Sequence, residues 1–275
     1  MPKVVSLDRA PTTQLTVMTM KRDGEALGTI VMVVRDSVKA PTMVSWFMTD
    51  YSWVPPGMYV QRNVIQGNLL TLQRNEAVQR MAGDWLMFVD DDMVWSSDAI
   101  GKLVAARDEI DADIIGALCF RRSPPHQPTM YMREHSTSGG YNFLEDWTSD
   151  IVEVDATGMA FVIIAKRVFE RIAGSVMPTP EARLISGPPN FFRWDGVLGE
   201  DLRFCQDAKA SGCRIFVDTR IEVGHLSDIE IRQRHFLMEM ASRDPDLIAA
   251  RQELNAKMSL PTLSAEEVRR RLGWN

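Results

Sequence analysis

Apolar and polar residues alternate along the middle of the chain in a way that predicts strands and helices in turn. Short runs that are apolar throughout are typical of strands covered on both faces, and they alternate here with amphipathic stretches of helical length. The predicted strands are 43–49, 85–89, 113–120, 151–155, 159–165 and 214–217, and the predicted helices are 69–81, 98–109, a short one from 167, and 200–210. This order predicts an α/β fold with a mixed, mainly parallel sheet flanked by helices.

Both ends of the chain depart from this alternation. Residues 14–35 hold two strand-like stretches around the turn-prone Arg22-Asp23-Gly24, which predicts a β-hairpin outside the main fold. After Ser227 the pattern is helical, and Ser264 with Glu267 forms a capping box for the last helix. We therefore expect an N-terminal extension over 1–41, a main domain over 42–226 and a C-terminal helical extension over 227–275.

Composition and charge narrow the classes of function. The 275 residues are 45% hydrophobic and 25% charged, which indicates a folded globular protein. The net charge of -6 predicts no general affinity for nucleic acid. Apolar stretches such as 158–165 are too short to span a membrane, and the N-terminus lacks the layout of a secretory signal, so we expect a cytoplasmic location.

Three consecutive carboxylates, Asp90, Asp91 and Asp92, follow the apolar run 85–89 in the sequence FVDDDMVW. A strand of a parallel sheet delivers the residues at its carboxyl end to the crevice where α/β proteins bind ligands. Carboxylates packed there raise one another's pKa unless a cation is present. Asp90 and Asp92 suit Mg²⁺ or Mn²⁺, which would bridge a diphosphate. An acidic turn before the helix at 98 is the alternative at this point.

Two later segments carry groups that suit the same crevice. Glu200 and Asp201 open a predicted helix, where the helix dipole favours acidic residues whatever their function. The same field would keep a carboxylate ionised and available as a general base. His225 follows a predicted strand, and an imidazole beside carboxylates is an acceptable ligand for Mn²⁺, although a lone histidine is more often a structural or surface residue.

Taken in order, these segments resemble the GT-A glycosyltransferases, in particular the large inverting nucleotide-sugar family related to cellulose and chitin synthases. The segment "LLTLQRNEAV" is similar to the family's Arg-Asn helix beside the donor site, and "WLMFVDDDMVWSSDAI" to its D-x-D strand and following helix. The resemblance covers about 42–227. It implies a nucleotide-sugar site and a metal site for Mn²⁺ or Mg²⁺. The residues implied for the nucleotide-sugar are Thr49, Arg74, Asn75, Asp90, Asp91, Gly158 and Met159, and those for the metal are Asp90, Asp92 and His225.

The second half of the resemblance concerns the acceptor side. "VDATGMAFVIIAKRVFERI" is similar to the family's acceptor-side segment and places Thr157 there. "FFRWDGVLGEDLRFCQDAKASGCRIFVD" resembles the segment with the catalytic base, which implies Asp201 of the Glu200-Asp201 pair and puts Trp194 near the acceptor. "IEVGH" resembles the segment whose late histidine completes the metal site.

The resemblance implies a metal-dependent transfer of sugar to an acceptor hydroxyl with inversion, and a retaining outcome stays open. A UDP-sugar is the favoured donor, with a GDP-sugar as the alternative. The acceptor is a glycan, a protein or a small molecule. The C-terminal helices are candidates for homo-oligomer contacts through Phe236, Leu237 and Met240, although packing on the chain's own core explains these residues equally well.

Two other functions fit part of the pattern. Asp90, Asp92 and Val94 match the D-x-D-x-V spacing of haloacid-dehalogenase-type phosphatases, in which the first Asp is a covalent nucleophile. That family normally carries the motif near its N-terminus and a second acidic loop after a strand, and neither feature is present here. A non-catalytic nucleotide-sugar-binding module is the third hypothesis.

Overall fold

The computed structural model describes residues 3–9, 15–134, 140–176, 190–194, 196–227 and 230–243. Its strands are β1 (Lys3–Arg9), β2 (Thr16–Lys21), β3 (Glu25–Val34), β4 (Met58–Gln66), β5 (Trp85–Asp90), β6 (Met93–Val94), β7 (Ile114–Leu118), β8 (Met130–Arg133), β9 (Tyr141–Phe143), β10 (Ile151–Val154), β11 (Ala156–Thr157), β12 (Phe161–Ala165), β13 (Ile215–Glu222), β14 (Gly224–Leu226) and β15 (Glu230–Ile231). Its helices are α1 (Ala40–Met48), α2 (Leu70–Gln79), α3 (Ala99–Ile110), α4 (Lys166–Val176), α5 (Glu200–Ala210) and α6 (Gln233–Arg243).

A nine-stranded mixed sheet forms the centre of the described structure, in the order β1-β2-β4-β3-β5-β12-β7-β13-β10. Strands β1, β3, β4, β5, β7 and β13 run in one direction, and β2, β10 and β12 run in the other. Two small sheets, β11-β8-β9 and β15-β14-β6, lie beside it. The carboxyl ends of β3, β5 and β7 therefore meet at one edge, which is where α/β proteins bind ligands.

Alternate side chains of the sheet enter two hydrophobic layers. On β5, Trp85 and Met87 enter one layer, together with Trp46 of α1 and Leu103 of α3. Leu86 and Phe88 enter the opposite layer. That second layer also holds buried side chains of α2, α4, α5 and α6, such as Ala77, Val168, Phe204 and Phe236. Helices thus cover both faces of the sheet, and the expectation of a mixed α/β fold flanked by helices is confirmed.

Two predictions about the first 66 residues are wrong. The expected strand over 43–49 is helix α1, and β4 was not predicted at all. The expected hairpin is not formed, because β4 lies between β2 and β3 in the sheet. Gly24, with φ of 120°, does form the turn, but β3 pairs in parallel with β4 and β5 and so belongs to the centre of the main sheet.

The C-terminal part is described as far as α6, and the last predicted helix, with Ser264 and Glu267, lies outside the described residues. Phe236 is 2% exposed and packs against Phe120, with 5.8 Å between the ring centroids. Met240 packs against the same layer, and Leu237 is exposed. Phe236 therefore packs in the chain's own core, which agrees with the second of the two explanations given for it. Within the described ranges, no helix is both long and apolar enough to cross a membrane.

Candidate active site

The three aspartates at the end of β5 are each held by a different part of the fold. The N–H of Asp90 donates to the carbonyl oxygen of Ala160, at 2.9 Å. Asp91 Oδ2 accepts from the N–H of Arg35 at 3.1 Å, just beyond the end of β3. The carbonyl oxygen of Asp92 accepts from the N–H of Leu226 at 2.8 Å. The turn that carries the carboxylates is thus fixed from three directions.

Pairing between β6 and β14 brings His225 to Asp92. His225 lies opposite Met93 in this antiparallel pair, and its Nε2 is 3.4 Å from Asp92 Oδ1. Its Nδ1 lies 2.8 Å from the carbonyl oxygen of Phe120. A carbonyl oxygen only accepts, so Nδ1 carries a proton and Nε2 is the atom that faces the carboxylate.

Asp92 and His225 stabilise each other's charged forms. Burial alone would lower the pKa of His225, but the hydrogen bond and charge of Asp92 raise it above its usual value. Burial alone would raise the pKa of Asp92, but the hydrogen bond and charge of His225, together with the charge of Arg122, lower it. The other carboxylate oxygen, Asp92 Oδ2, accepts from Arg122 Nη1 at 2.9 Å.

A buried arginine joins the aspartate turn to α5. The Arg74 side chain is 3% exposed, and its Nη2 lies 3.3 Å from Asp90 Oδ1 while its Nη1 lies 2.7 Å from Glu200 Oε1. The guanidinium also lies over the Phe88 ring, 5.7 Å from its centroid. Burial raises the pKa of Asp90, and the charge of Arg74 opposes that rise. The two carboxylates are 110 positions apart in sequence and share one cation.

Asp201 stands in the first turn of α5, next to Glu200. Its Oδ1 accepts from the N–H of Leu202 at 2.7 Å. Burial raises the pKa of Asp201, and the neighbouring Glu200 adds to the rise while the Arg74 charge opposes it. The buried Phe204 and Cys205, one turn further along the same face, fix the helix against the sheet. A carboxylate with a raised pKa in this position is suited to accept a proton.

The predicted acceptor-side residues are divided between the core and the surface. Thr157 and Met159 are buried. Thr157 Oγ1 donates to the carbonyl oxygen of Thr129 at 3.0 Å, and the N–H of Gly158 donates to the same oxygen at 3.2 Å. A Cβ at Gly158 would lie 3.2 Å from the Thr129 side chain, so this turn has little room for a larger residue. Trp194 is 72% exposed and free to meet a ligand from solvent.

Two residues predicted for the donor site have structural contacts instead. Thr49 is buried, where it accepts from Trp95 Nε1 at 3.0 Å and donates to the Ser45 carbonyl oxygen at 2.9 Å. Asn75 holds the segment before Trp194: its Nδ2 donates to the Phe192 carbonyl oxygen at 2.8 Å, and its Oδ1 accepts from the Phe192 N–H at 3.2 Å. Thr49 is buried and Asn75 is half-buried, and their contact with a donor stays a prediction.

A cavity of about 470 Å³ opens at the aspartate turn. The described residues that line it are Val33, Arg35, Asp36, Ser37, Lys39, Asn68, Leu70, Gln73, Asp90, Asp91, Asp92, Arg122 and His225. The cations among them, Arg35, Lys39 and Arg122, were missed in the sequence. Arg35 directly follows β3 and Arg122 lies shortly after β7, so the strand-end rule would have found both once β3 was placed in the sheet.

Two donor atoms at the aspartate turn lie at a separation that suits a divalent ion. Among the described residues, no group of three or more His, Cys, Asp or Glu side chains is arranged to hold a metal ion. The pair Asp92 Oδ1 and His225 Nε2, however, is 3.4 Å apart. Two ligands about 2.1 Å from one ion, at octahedral to tetrahedral angles, lie about 3.0–3.4 Å apart. The spacing of this pair is compatible with one ion of the Mn²⁺ or Mg²⁺ type.

Part of the chain matches a family model, and several solved structures are similar to it. Residues 65–172 match the model of glycosyl transferase family 2. Similar solved structures include A197 from STIV (17% identity, 74% of this chain and 86% of that chain, TM-score 0.46). Others are GalNAc-T7 with UDP, GalNAc and Mn²⁺ (12%, 74% and 44%, TM-score 0.48) and S. aureus TarS 1-349 (15%, 70% and 57%, TM-score 0.42). A comparison with curated protein sequences gave no significant match.

Residues 65–172, which include the aspartate turn, thus match the pattern of glycosyl transferase family 2, and the mixed α/β sheet agrees with the GT-A fold. The resemblance noted in the sequence is confirmed at this level. Its narrower part, the likeness to cellulose and chitin synthases, stays a prediction.

Proposed function

We propose that the protein transfers a sugar from a nucleotide-diphosphate donor, with a UDP-sugar favoured over a GDP-sugar, to an acceptor hydroxyl with inversion. The observation that carries the proposal is the bridge made by Arg74. It joins Asp90, at the end of the D-x-D strand, to Glu200, at the start of the helix with the candidate base. Groups for the leaving group and for the acceptor thereby meet at one edge of the sheet.

The donor side of the proposal rests on the cavity at the aspartate turn. Its volume of about 470 Å³ suits a ligand of nucleotide size, and the cations Arg35, Lys39 and Arg122 suit a diphosphate. Asp92 and His225, with Asp90 beside them, would hold Mn²⁺ or Mg²⁺. When bound, such an ion neutralises the charge that develops on a diphosphate leaving group.

The acceptor side rests on α5. Asp201 removes the proton from the attacking hydroxyl, and its raised pKa makes the carboxylate a stronger base than an ordinary aspartate. Glu200 is a positioning residue, since its carboxylate is held by Arg74. Attack on the face opposite the diphosphate gives inversion. The exposed Trp194 offers a flat apolar surface to a glycan, protein or small-molecule acceptor.

The test is a panel of UDP- and GDP-sugars, assayed for donor hydrolysis and transfer with Mn²⁺ and with Mg²⁺. Asp201→Asn keeps the acceptor atom for the Leu202 N–H but is a far weaker base, so transfer falls by about 10²–10⁴-fold while donor binding is kept. Asp108→Asn, an exposed change of the same charge on α3, is the matched control. Transfer by Asp201→Asn at the rate of the control would overturn the assignment of the base.

The phosphatase alternative gains no support from the site. Asp90, its required nucleophile, is paired with Arg74, and Asp201 opens a helix instead of an acidic loop after a strand. A phosphatase would release phosphate from a generic ester and lose that activity in Asp90→Asn. A non-catalytic module would bind the nucleotide-sugar without turnover. The cytoplasmic location belongs to the proposal as well, and cell fractionation tests it.

A further inference from the structure

The Asp92 carboxylate has a nitrogen partner at each of its two oxygens. His225 Nε2 lies at Oδ1, and Arg122 Nη1 lies at Oδ2. The imidazole is fixed from behind, because its Nδ1 donates to the Phe120 carbonyl oxygen and its strand pairs with β6. Arg122 is fixed far less, since its side chain is 57% exposed and projects from the irregular segment after β7. The two partners of Asp92 therefore differ in their freedom to move.

We propose that Arg122 stands in for the divalent ion at Asp92, and that binding of the ion transfers its guanidinium from Asp92 to the diphosphate of the donor. This inference rests on the proposed function. An ion shared by Asp92 and His225 would bring two positive charges next to the guanidinium, and like charges at such a distance repel. Arg122 lines the same cavity as the aspartates, so the diphosphate is within its reach once it leaves Asp92.

Arg74 provides the internal comparison. It also pairs with a carboxylate of the aspartate turn, but it is 3% exposed and a second carboxylate, Glu200, holds it. If Arg74 moved away, the carboxylates of Asp90 and Glu200 would both lose their cationic partner. If Arg122 moves away, only Asp92 loses a partner, and the ion then neutralises its charge. The consequence is a coupling of two binding events. The ion frees Arg122 for the nucleotide, and by reciprocity the nucleotide strengthens binding of the ion.

The experiment measures Mn²⁺ binding to the full chain by electron paramagnetic resonance, with and without UDP as the probe nucleotide. Arg122→Gln is compared with Arg121→Gln, which removes the same charge at the next position. Arg121 instead places its guanidinium over the Phe143 ring, 5.3 Å from the centroid, so it controls for the general change in charge. Arg122→Lys, which keeps the charge, is the third protein.

Without UDP, Arg122→Gln is expected to bind Mn²⁺ about two- to fivefold more tightly than Arg121→Gln, because the pair that competes for Asp92 is exposed and therefore weak. With Mn²⁺ present, Arg122→Gln is expected to bind UDP severalfold more weakly than the unmodified protein does. UDP is also expected to increase the Mn²⁺ affinity of Arg122→Gln less than it increases that of the unmodified protein. Arg122→Lys is expected to keep most of that improvement, since a lysine also pairs with phosphate.

Weaker Mn²⁺ binding by Arg122→Gln would show that Arg122 supports the ligand from behind, and it would overturn the inference. Equal Mn²⁺ binding by Arg122→Gln and Arg121→Gln would overturn it too, without touching the proposed function. Absence of Mn²⁺ binding in the unmodified protein would overturn both this inference and the metal part of the proposed function. Urea denaturation of each variant confirms that the comparison is made between folded proteins.

Discussion

The ionisation of Asp201 is governed by neighbours that can be changed singly. Burial raises its pKa, the Glu200 charge raises it further, and the Arg74 charge opposes them. A general base must be deprotonated, so activity rises with pH through this pKa, which lies above the ordinary value for Asp of 3.8. The acidic limb of the kcat/KM profile is therefore expected at higher pH than an unperturbed aspartate would give.

Glu200→Gln is expected to move that limb to lower pH. The substitution removes the negative charge that raises the pKa of Asp201, and it leaves Arg74 with one carboxylate partner fewer. Both changes favour the ionised form of Asp201, so each of them lowers its pKa. The measurement is kcat/KM of donor turnover against pH for the two proteins. A limb that stays in place or moves to higher pH would contradict Asp201 as the base.

Asp91, between the two proposed ligands, is expected to matter less for the metal than either neighbour. Its carboxylate accepts from the N–H of Arg35 and thus fixes the end of β3, while Asp92 faces His225. Asp91→Asn keeps an acceptor for that N–H, so Mn²⁺ affinity should fall by only a few-fold. Asp92→Asn should lower it by roughly 10–100-fold or more, since it alters a ligand itself. Titration of both variants with Mn²⁺ measures the two affinities. A larger loss in Asp91→Asn than in Asp92→Asn would mean that the ligands are assigned to the wrong positions of the motif.

At the scale of elements, the predictions succeeded where the buried positions are apolar. The run 85–89 is buried throughout as β5, and Ile100, Leu103 and Val104 line the buried side of α3 as their spacing predicts. The helix 200–210 has the predicted bounds as α5. In these elements the periodicity of hydrophobic residues and the periodicity of burial coincide, so the sequence is sufficient.

The same reasoning explains the failure at α1. Its buried residues are Thr42, Ser45 and Trp46, with Thr49 directly after it, at the spacing of one helical face. The side chains that face solvent are apolar, and they are Val44, Phe47 and Met48. The apolar residues along 43–49 therefore suggest a strand. The residues that recur at the spacing of one helical face are mostly polar. A prediction from apolar residues alone therefore takes the exposed face of α1 for the buried one.

Strand β4 was missed for a related reason. Its fully buried positions are Gln61, Asn63 and Ile65, of which two are polar. Gln61 Nε2 donates to the carbonyl oxygen of Arg80, so one of these polar groups is compensated by a contact that no local pattern reveals. When β4 is not recognised, β2 and β3 are predicted to pair directly around Gly24. This is why the sequence wrongly predicts a hairpin. One hidden strand thus changed the predicted topology of the N-terminal third of the sheet.

A pair of glycines tests how tightly β3 and β5 are packed. A Cβ at Gly28 would lie 2.1 Å from the indole ring of Trp85, which is fully buried, so Gly28→Ala should cost roughly 1–3 kcal/mol or more of the free energy of unfolding. Gly174, in α4, has nothing within 4 Å of its added Cβ. Gly174→Ala should therefore stabilise by about 0.5–1 kcal/mol through helix propensity. Urea denaturation measures both, and equal effects would mean that Trp85 has room to move.

At the scale of the whole molecule, the sequence predicts charged groups for the site but not their partners. The aspartate turn, His225 and Asp201 stay predicted site residues, and the structure shows Asp92 in contact with His225. The positions of Arg35 and Arg122 depend on which strands lie side by side, and pairing between strands distant in sequence is not encoded in any local period. The bridging role of Arg74 depends in addition on the docking of α5, 126 positions away from it.

That bridge gives a prediction about the whole fold, because Arg74 neutralises Asp90 and Glu200 together. Arg74→Gln leaves two acids near each other without their cation, and removing one partner of a buried pair costs about 3–5 kcal/mol. Since the two carboxylates are 25% and 21% exposed, we expect a loss of about 2–4 kcal/mol at pH 7. Lys102→Gln, which breaks an exposed pair with Asp98, should lower the free energy of unfolding far less and is the control.

The pH dependence separates this electrostatic role from a loss of packing. Burial already raises the pKa of Asp90, and without the opposing charge of Arg74 it rises further. Protonation of Asp90 removes a charge that Arg74 neutralises, so the difference in unfolding free energy between Arg74→Gln and the unmodified protein must shrink as the pH falls toward 4. Urea denaturation of both proteins between about pH 4 and pH 8 measures it. A difference independent of pH would mean that Arg74 stabilises the fold through its contact with Phe88 instead.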